Sequence, residues 1–123
     1  MLSLPPSARI FLSTEPTDIR RSFDGLALLV EEVIGQDPFS GYLFVFRNRL
    51  GDRVKVLFGD RSGFCLWYKR LEKGVFHFPA SSGRSVEIEA ADLSLILEGI
   101  DLSGARRRER YARTSRAASS GTR

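Results

Sequence analysis

Cysteine, histidine and tryptophan each occur once in these 123 residues, as Cys65, His77 and Trp67. A single cysteine excludes an internal disulfide and suits a reducing compartment. One histidine and one cysteine do not by themselves assemble the common zinc sites. No apolar run approaches the roughly 20 residues of a membrane-spanning helix, and MLSLPPSARIFLS lacks the cationic start and long apolar stretch of a secretory signal. A cytoplasmic protein with no membrane partner is therefore expected. Gly-rich phosphate loops are also missing, because Gly59 and Gly63 read as parts of a hairpin turn. Catalytic groupings are equally scarce. Asp18 and Asp24 are off the three-or-four spacing that stacks side chains on one helix face. Glu31 and Glu32 read as a solvated helix end. Cys65 and His77 would make a nucleophile–base pair, but Cys65 is better placed as a residue packed under a sheet. No set of acids stands out for two-metal nuclease chemistry. The expectation is a protein that is not an enzyme and carries no metal and no cofactor.

What is present is an ordinary globular composition, 42% hydrophobic and 28% charged, in a length that supports one domain. The net charge of +4 is unevenly distributed. Residues 104–123 hold seven arginines against one acid, and residues 47–73 hold eight cations against three acids. The segments 1–46 and 74–103 are both net acidic. Two separate basic stretches point to a polyanionic partner.

Along the chain, ARIFLS reads as a short strand. Thr17 is a candidate helix N-cap, Asp18 suits a first turn, and Gly35 suits a left-handed stop. Between them Ile19, Phe23, Leu26, Val30 and Val33 form an apolar stripe. Gly25 interrupts this long helix and suggests close contact with the sheet. From Tyr42 onward YLFVFR, RVKVLF, FCLWYKR, VFHF and VEIE read as strands separated by glycine turns. ADLSLILEGI reads as a short helix with Leu93, Ile96, Leu97 and Ile100 on one side. The expected fold is α+β: a single antiparallel sheet of five to six strands, one long helix on one face and a short C-terminal helix. Residues 1–103 form the domain, and 104–123 form an Arg-rich tail without core-forming residues, disordered by composition.

Symmetric turns in the two central hairpins give the simplest register. Phe46, Val54 and Tyr68 share a rung, as do Phe44, Val56 and Leu66, and Tyr42, Phe58 and Phe64. That face is apolar and seats the long helix. The other face carries Arg47, Arg53 and Lys69 on one rung, Val45, Lys55 and Trp67 on the next, and Leu43, Leu57 and Cys65 on a third. Like charges directly across an antiparallel pair repel, so a three-cation rung beside an indole invites phosphates and bases. His77 has the parity to join it. Against this stand the alternatives that the long cationic side chains splay into solvent, that Lys55 covers Trp67 through a cation–π contact, or that the short helix covers the third rung and buries Trp67. A one-residue slip in register would exchange the faces. The candidate nucleic-acid contacts are Arg47, Arg53, Lys55, Trp67 and Lys69, with Arg106, Arg107, Arg108 and Arg110 in the tail.

The run TDIRRSFDGLALLVEEVIGQDPFSGYLFVFRNRLGDRVKVLFGDRSGFCLWYKRLEKGVFHFP, with LPPSARIFL before it and LILEGID after it, resembles the TnpB-type accessory protein of bacterial insertion-sequence-sixty-six transposable elements. That family is unrelated to the RNA-guided nuclease of the same label. The resemblance covers Leu4 to Asp101 and leaves out the tail. Its motif positions fall on Asp18, Arg20, Phe23, Asp24, Gly25 and Leu26, then on Asp37, Pro38, Phe39, Gly41, Phe44 and Phe46, and later on Lys69, Arg70, Leu71 and Gly74. The chain departs from the pattern at Leu50, where a more polar residue is usual, and at Gly59, where bulkier aromatics are usual. The resemblance implies a non-catalytic accessory factor in DNA transposition, encoded beside a separate acidic-triad transposase. The implied partners are DNA, at the element ends, and that transposase. Two mechanisms follow: binding of element DNA through the basic face and tail, or adaptor binding to the transposase without DNA contact. Arg20 and Asp24, four apart in sequence, are expected to pair across a helical turn. The oligomeric state is left open.

Overall fold

The structure is a computed structural model that describes residues 7–102. Five strands, β1 (Ile10–Ser13), β2 (Leu43–Arg47), β3 (Arg53–Gly59), β4 (Phe64–Arg70) and β5 (Ser85–Ile88), form one sheet in the order β4-β3-β2-β1-β5. Helix α1 (Phe23–Leu29) connects β1 to β2, and α2 (Ala90–Leu97) follows β5. The α+β class is as expected. The sheet, however, is mixed, because β1 runs parallel to β2 while the other pairs are antiparallel. A strand followed by a helix and then an adjacent strand is a crossover, and crossovers join parallel neighbours.

The single long helix is also corrected. Thr17 does not cap it: the Thr17 N–H donates to the Arg47 carbonyl at 2.8 Å, and the residue is buried. Asp18 instead builds a turn, accepting the Arg21 N–H on its carbonyl at 3.0 Å and the Arg20 N–H on Oδ1 at 3.1 Å. Helical geometry therefore starts only at Phe23. After Leu29 the chain widens into a π-helical turn, Val30–Ile34, in which the N–H groups of Gly35 and Gln36 both reach the Val30 carbonyl. Gly35, at φ 77°, ends it as expected. At Gly25 the neighbour nearest to the missing side chain is Arg21, not a strand. A Cβ there would lie 3.2 Å from the Arg21 Cβ.

Both faces of the sheet are covered. Phe11, Phe44, Phe46 and Leu57 pack against Leu26 and Val30 of the α1 layer. Ile10, Leu12, Leu43, Val45, Val54 and Val56 pack against Leu93, Ile96 and Leu97 of α2. Each fully buried aliphatic side chain stabilises the fold by about 1.5–3 kcal/mol relative to exposure. The signal for two-sided burial lies in LFVF and IFLS, whose residues are apolar at both parities. VFHF is not a strand. The Phe76 N–H donates to the Gly51 carbonyl at 2.8 Å and its ring closes the α2-side core. Leu93, Ile96 and Leu97 are buried as expected, whereas Ile100, beyond the end of α2, is exposed.

The symmetric-turn register is off by one for β3. Val45 lies opposite Val56, Phe46 opposite Lys55 and Arg47 opposite Val54. On the other side Val54 meets Lys69, Lys55 meets Tyr68 and Val56 meets Trp67. The cause is turn chemistry. Asn48 Oδ1 accepts from the N–H groups of Gly51 at 2.9 Å and Arg53 at 3.0 Å, and its amide donates to Asp52. At the next turn Asp60 Oδ1 accepts from Ser62 and Gly63. Both loops hold an even number of residues between paired ends, which shifts β3 by one position and exchanges its two faces.

Candidate nucleic-acid interface

The slip dismantles the expected three-cation rung. Arg47 and Lys69 stay on the α2 side with Val54 between them, while Arg53 and Lys55 turn to the α1 side. The Lys69 ammonium donates to the carbonyl of Leu97, the last residue of α2, at 2.8 Å. There it meets the partial negative charge of a helix C-terminus. Arg47 donates to the Thr14 carbonyl at 3.4 Å and lies 5.4 Å from the Phe78 ring centroid. Trp67 packs, half-buried, with the cluster that includes Leu93, Ile96 and Leu97, which is the covering by the short helix considered for it. It does not adjoin Lys55, which is opposite Tyr68 instead. Cys65, expected under the sheet, is exposed. Arg106, Arg107, Arg108 and Arg110 lie outside the described residues.

On the α1 side a different group assembles. Arg53 is directly opposite Arg70. Its Nη1 donates to the Tyr68 hydroxyl at 3.2 Å. Lys55 is buried, its Nζ donating to the Arg21 carbonyl at 2.7 Å and lying 5.0 Å from the Tyr68 ring centroid. Tyr68 is nevertheless 50% exposed. Arg21, in the chain turn before α1, contributes its backbone carbonyl here, while its guanidinium donates to the Gly25 carbonyl at 3.4 Å; Arg70 reaches Glu72 at 3.3 Å on the outer flank. Two arginines, one buried ammonium and a half-exposed ring are therefore brought together by β3 and β4, with the entry to α1 holding the ammonium. Such a group can take phosphate oxygens and the face of a base. In the sequence Tyr68 has the parity of the apolar face under the helix, which gives no sign of its exposure. Its position beyond the start of a shortened α1 leaves it uncovered.

The motif positions Asp18 and Arg20 border a neighbouring cleft of about 420 Å³ between residues 16–20 and 48–50. Arg20 pairs with Asp18 and not with Asp24: its Nε and Nη2 donate to the two carboxylate oxygens at 3.0 and 2.8 Å. Those bonds hold the Asp18 carboxyl down, from 3.8 to about 2, and raise Arg20. Phe23 and Asp24 are exposed in the first turn of α1. Gly59 has a packing reason, since a Cβ there would lie 2.7 Å from both the Phe64 ring and the Pro38 carbonyl. Among the described residues, no three of His, Cys, Asp and Glu are grouped as metal ligands, and no helix is long and apolar enough to cross a membrane.

Comparison with known proteins gives one family. Residues 8–107 match the model described as IS66 Orf2 like protein, a range that runs past Asp101, where the resemblance in the motifs ends, and takes in Arg106 and Arg107. Two proteins of Sinorhizobium fredii, both named only as uncharacterized proteins, are similar. One, y4hO, is 44% identical over 82% of this chain and 88% of its own length. The other, y4jC, is 36% identical over 81% of this chain and 86% of its own length. No solved structure gives a significant match.

Proposed function

The chain belongs to the IS66 Orf2-like family, a membership that carries an accessory role in transposition, and we propose that it fills this role by binding element DNA without catalysing strand chemistry. The observation that carries the proposal is Arg53 set directly opposite Arg70 beside a half-exposed Tyr68. Like charges across an antiparallel pair are unfavourable by themselves. A row of phosphates turns that repulsion into attraction and releases counterions. The arginines of the tail, Arg106, Arg107, Arg108 and Arg110, supply a second cationic segment. Lys55 supports the surface from beneath, and Arg47, Trp67 and Lys69 serve the opposite layer. Association with the element's transposase accompanies this role. An adaptor mechanism without DNA contact is the second reading, favoured by the exposed apolar side chains Leu50 (77%) and Phe39 (56%).

Anisotropy titration of a labelled element-end duplex tests the proposal. The Arg53→Gln, Arg70→Gln double variant should bind more weakly. Each phosphate contact contributes about −0.9 to the slope of log K against log salt, so the slope should shrink by about 1.8. Unchanged affinity and slope, with transposase capture lost instead, would establish the adaptor.

A further inference from the structure

We propose that Tyr68 is a stacking platform for an unpaired base, so that the Arg53–Arg70 surface takes single-stranded DNA in preference to duplex; this rests on the DNA-binding role proposed for the chain. Tyr68 is fixed at two points. Its hydroxyl accepts from Arg53 at 3.2 Å, and the Lys55 ammonium lies 5.0 Å from its ring centroid. The Lys55 ammonium is itself held at 2.7 Å by the Arg21 carbonyl, within a side chain only 7% exposed. Half of the Tyr68 surface still meets solvent. An aromatic ring held in position at its edge and from one side, yet left uncovered, loses little freedom on stacking.

The surroundings match one class of ligand. Single-strand sites combine cations that follow the backbone with aromatic rings that accept base faces. Here Arg53 and Arg70 form one rung and Lys55 and Tyr68 the next rung on the same face. The strand that carries Tyr68 is the last in the sheet, so an extended nucleic-acid strand meets no further β-strand beyond it. In duplex DNA the base faces are already stacked on one another. Duplex can use the arginines but not the ring. Lys55 is a positioning residue in this scheme, because its ammonium is spent on Arg21 and the ring.

Anisotropy titrations with the full chain separate these contributions. The probes are a labelled oligothymidine strand and a duplex of element-end sequence. The natural protein should prefer the single strand. Tyr68→Leu should lose roughly 5- to 150-fold in single-strand affinity, the factor that corresponds to about 1–3 kcal/mol per stacked base. Its salt slope and its duplex affinity should stay unchanged. Tyr68→Phe, which keeps the ring and loses the hydroxyl, should retain most of the single-strand affinity. Thermal midpoints followed by Trp67 emission confirm that each variant is folded. Equal single-strand affinity for Tyr68→Leu and the natural protein overturns the stacking role while leaving duplex binding intact. So does an equal loss on both probes, or a loss in Tyr68→Phe as large as in Tyr68→Leu. Loss of transposase capture in Tyr68→Leu without loss of oligothymidine binding assigns the ring to a protein partner and overturns it as well. Absence of all DNA binding by the natural protein removes the DNA-binding role itself, and the stacking role with it.

Discussion

Replacing Lys69 with methionine separates a structural cation from a ligand-binding one. Lys69 Nζ bonds the Leu97 carbonyl at 2.8 Å and so ties β4 to the C-terminal end of α2. Lys69→Met keeps the apolar stem against the sheet and removes only the ammonium. A hydrogen bond to a charged group contributes about 1.5–3 kcal/mol, and the unpaired carbonyl is left partly desolvated. The expected loss is about 2 kcal/mol. For a folded unit of roughly 100 residues each kcal/mol shifts the midpoint by about 4 °C, so the melt should move down by about 8 °C. Trp67 is the only tryptophan and packs in the cluster that holds α2 to the sheet, so its emission reports this event directly. Below the transition the variant should bind duplex with natural affinity and salt slope. Arg53→Gln is the mirror image. Its lost bond to Tyr68 is exposed, so solvent screening reduces it to about 1 kcal/mol; relief of repulsion with Arg70 offsets that loss, and its melt should hardly move while duplex binding falls. A Lys69→Met protein that melts like the natural one but loses DNA affinity would refute the reasoning and return Lys69 to the ligand surface.

Gly59→Ala places a methyl group 2.7 Å from the Phe64 ring and from the Pro38 backbone carbonyl; the expected loss is about 1–3 kcal/mol in urea unfolding, and an unchanged midpoint would show that this corner has slack. The Asp18 carboxyl lies at about 2 in the folded chain against 3.8 ordinarily, so the folded state holds its proton less tightly than the unfolded state. Its contribution is complete above pH 3.8 and is lost as pH falls toward 2. Asp18→Asn should therefore lower stability at neutral pH and converge with the natural protein near pH 2; parallel pH–stability curves would contradict the Asp18–Arg20 pairing.

How far the candidate site was legible depends on which interaction places each residue. The cationic–aromatic character of residues 47–73 was visible in composition, and Arg53 belongs to both the expected and the observed surfaces. The exposed ring was not legible. Trp67 and Tyr68 are adjacent, so strand alternation sends them to opposite faces, and only helix coverage decides which ring stays uncovered. Lys55 and Lys69 look alike in sequence, but one ends beneath Tyr68 and the other on the Leu97 carbonyl.

Local periods are legible in the chain: four of the five strands where β-branched and aromatic runs alternate from Tyr42 onward, the first strand at IFLS, the stop at Gly35 and the short amphipathic helix ending near Leu97. These follow from backbone sterics and side-chain spacing within a few residues, which no distant contact has to supply. What those periods face comes from packing between distant segments. Asn48 and Asp60 set the loop parity by side-chain bonds to backbone N–H groups, and one residue of slip carried Arg53 and Lys55 across the sheet. The crossover through α1 made β1 parallel to β2, and α2 covered the face that the sequence left open. A period of two fixes which side chains stand together along one strand, but the partner strand, its offset and the layer above it come from packing between segments far apart in the chain.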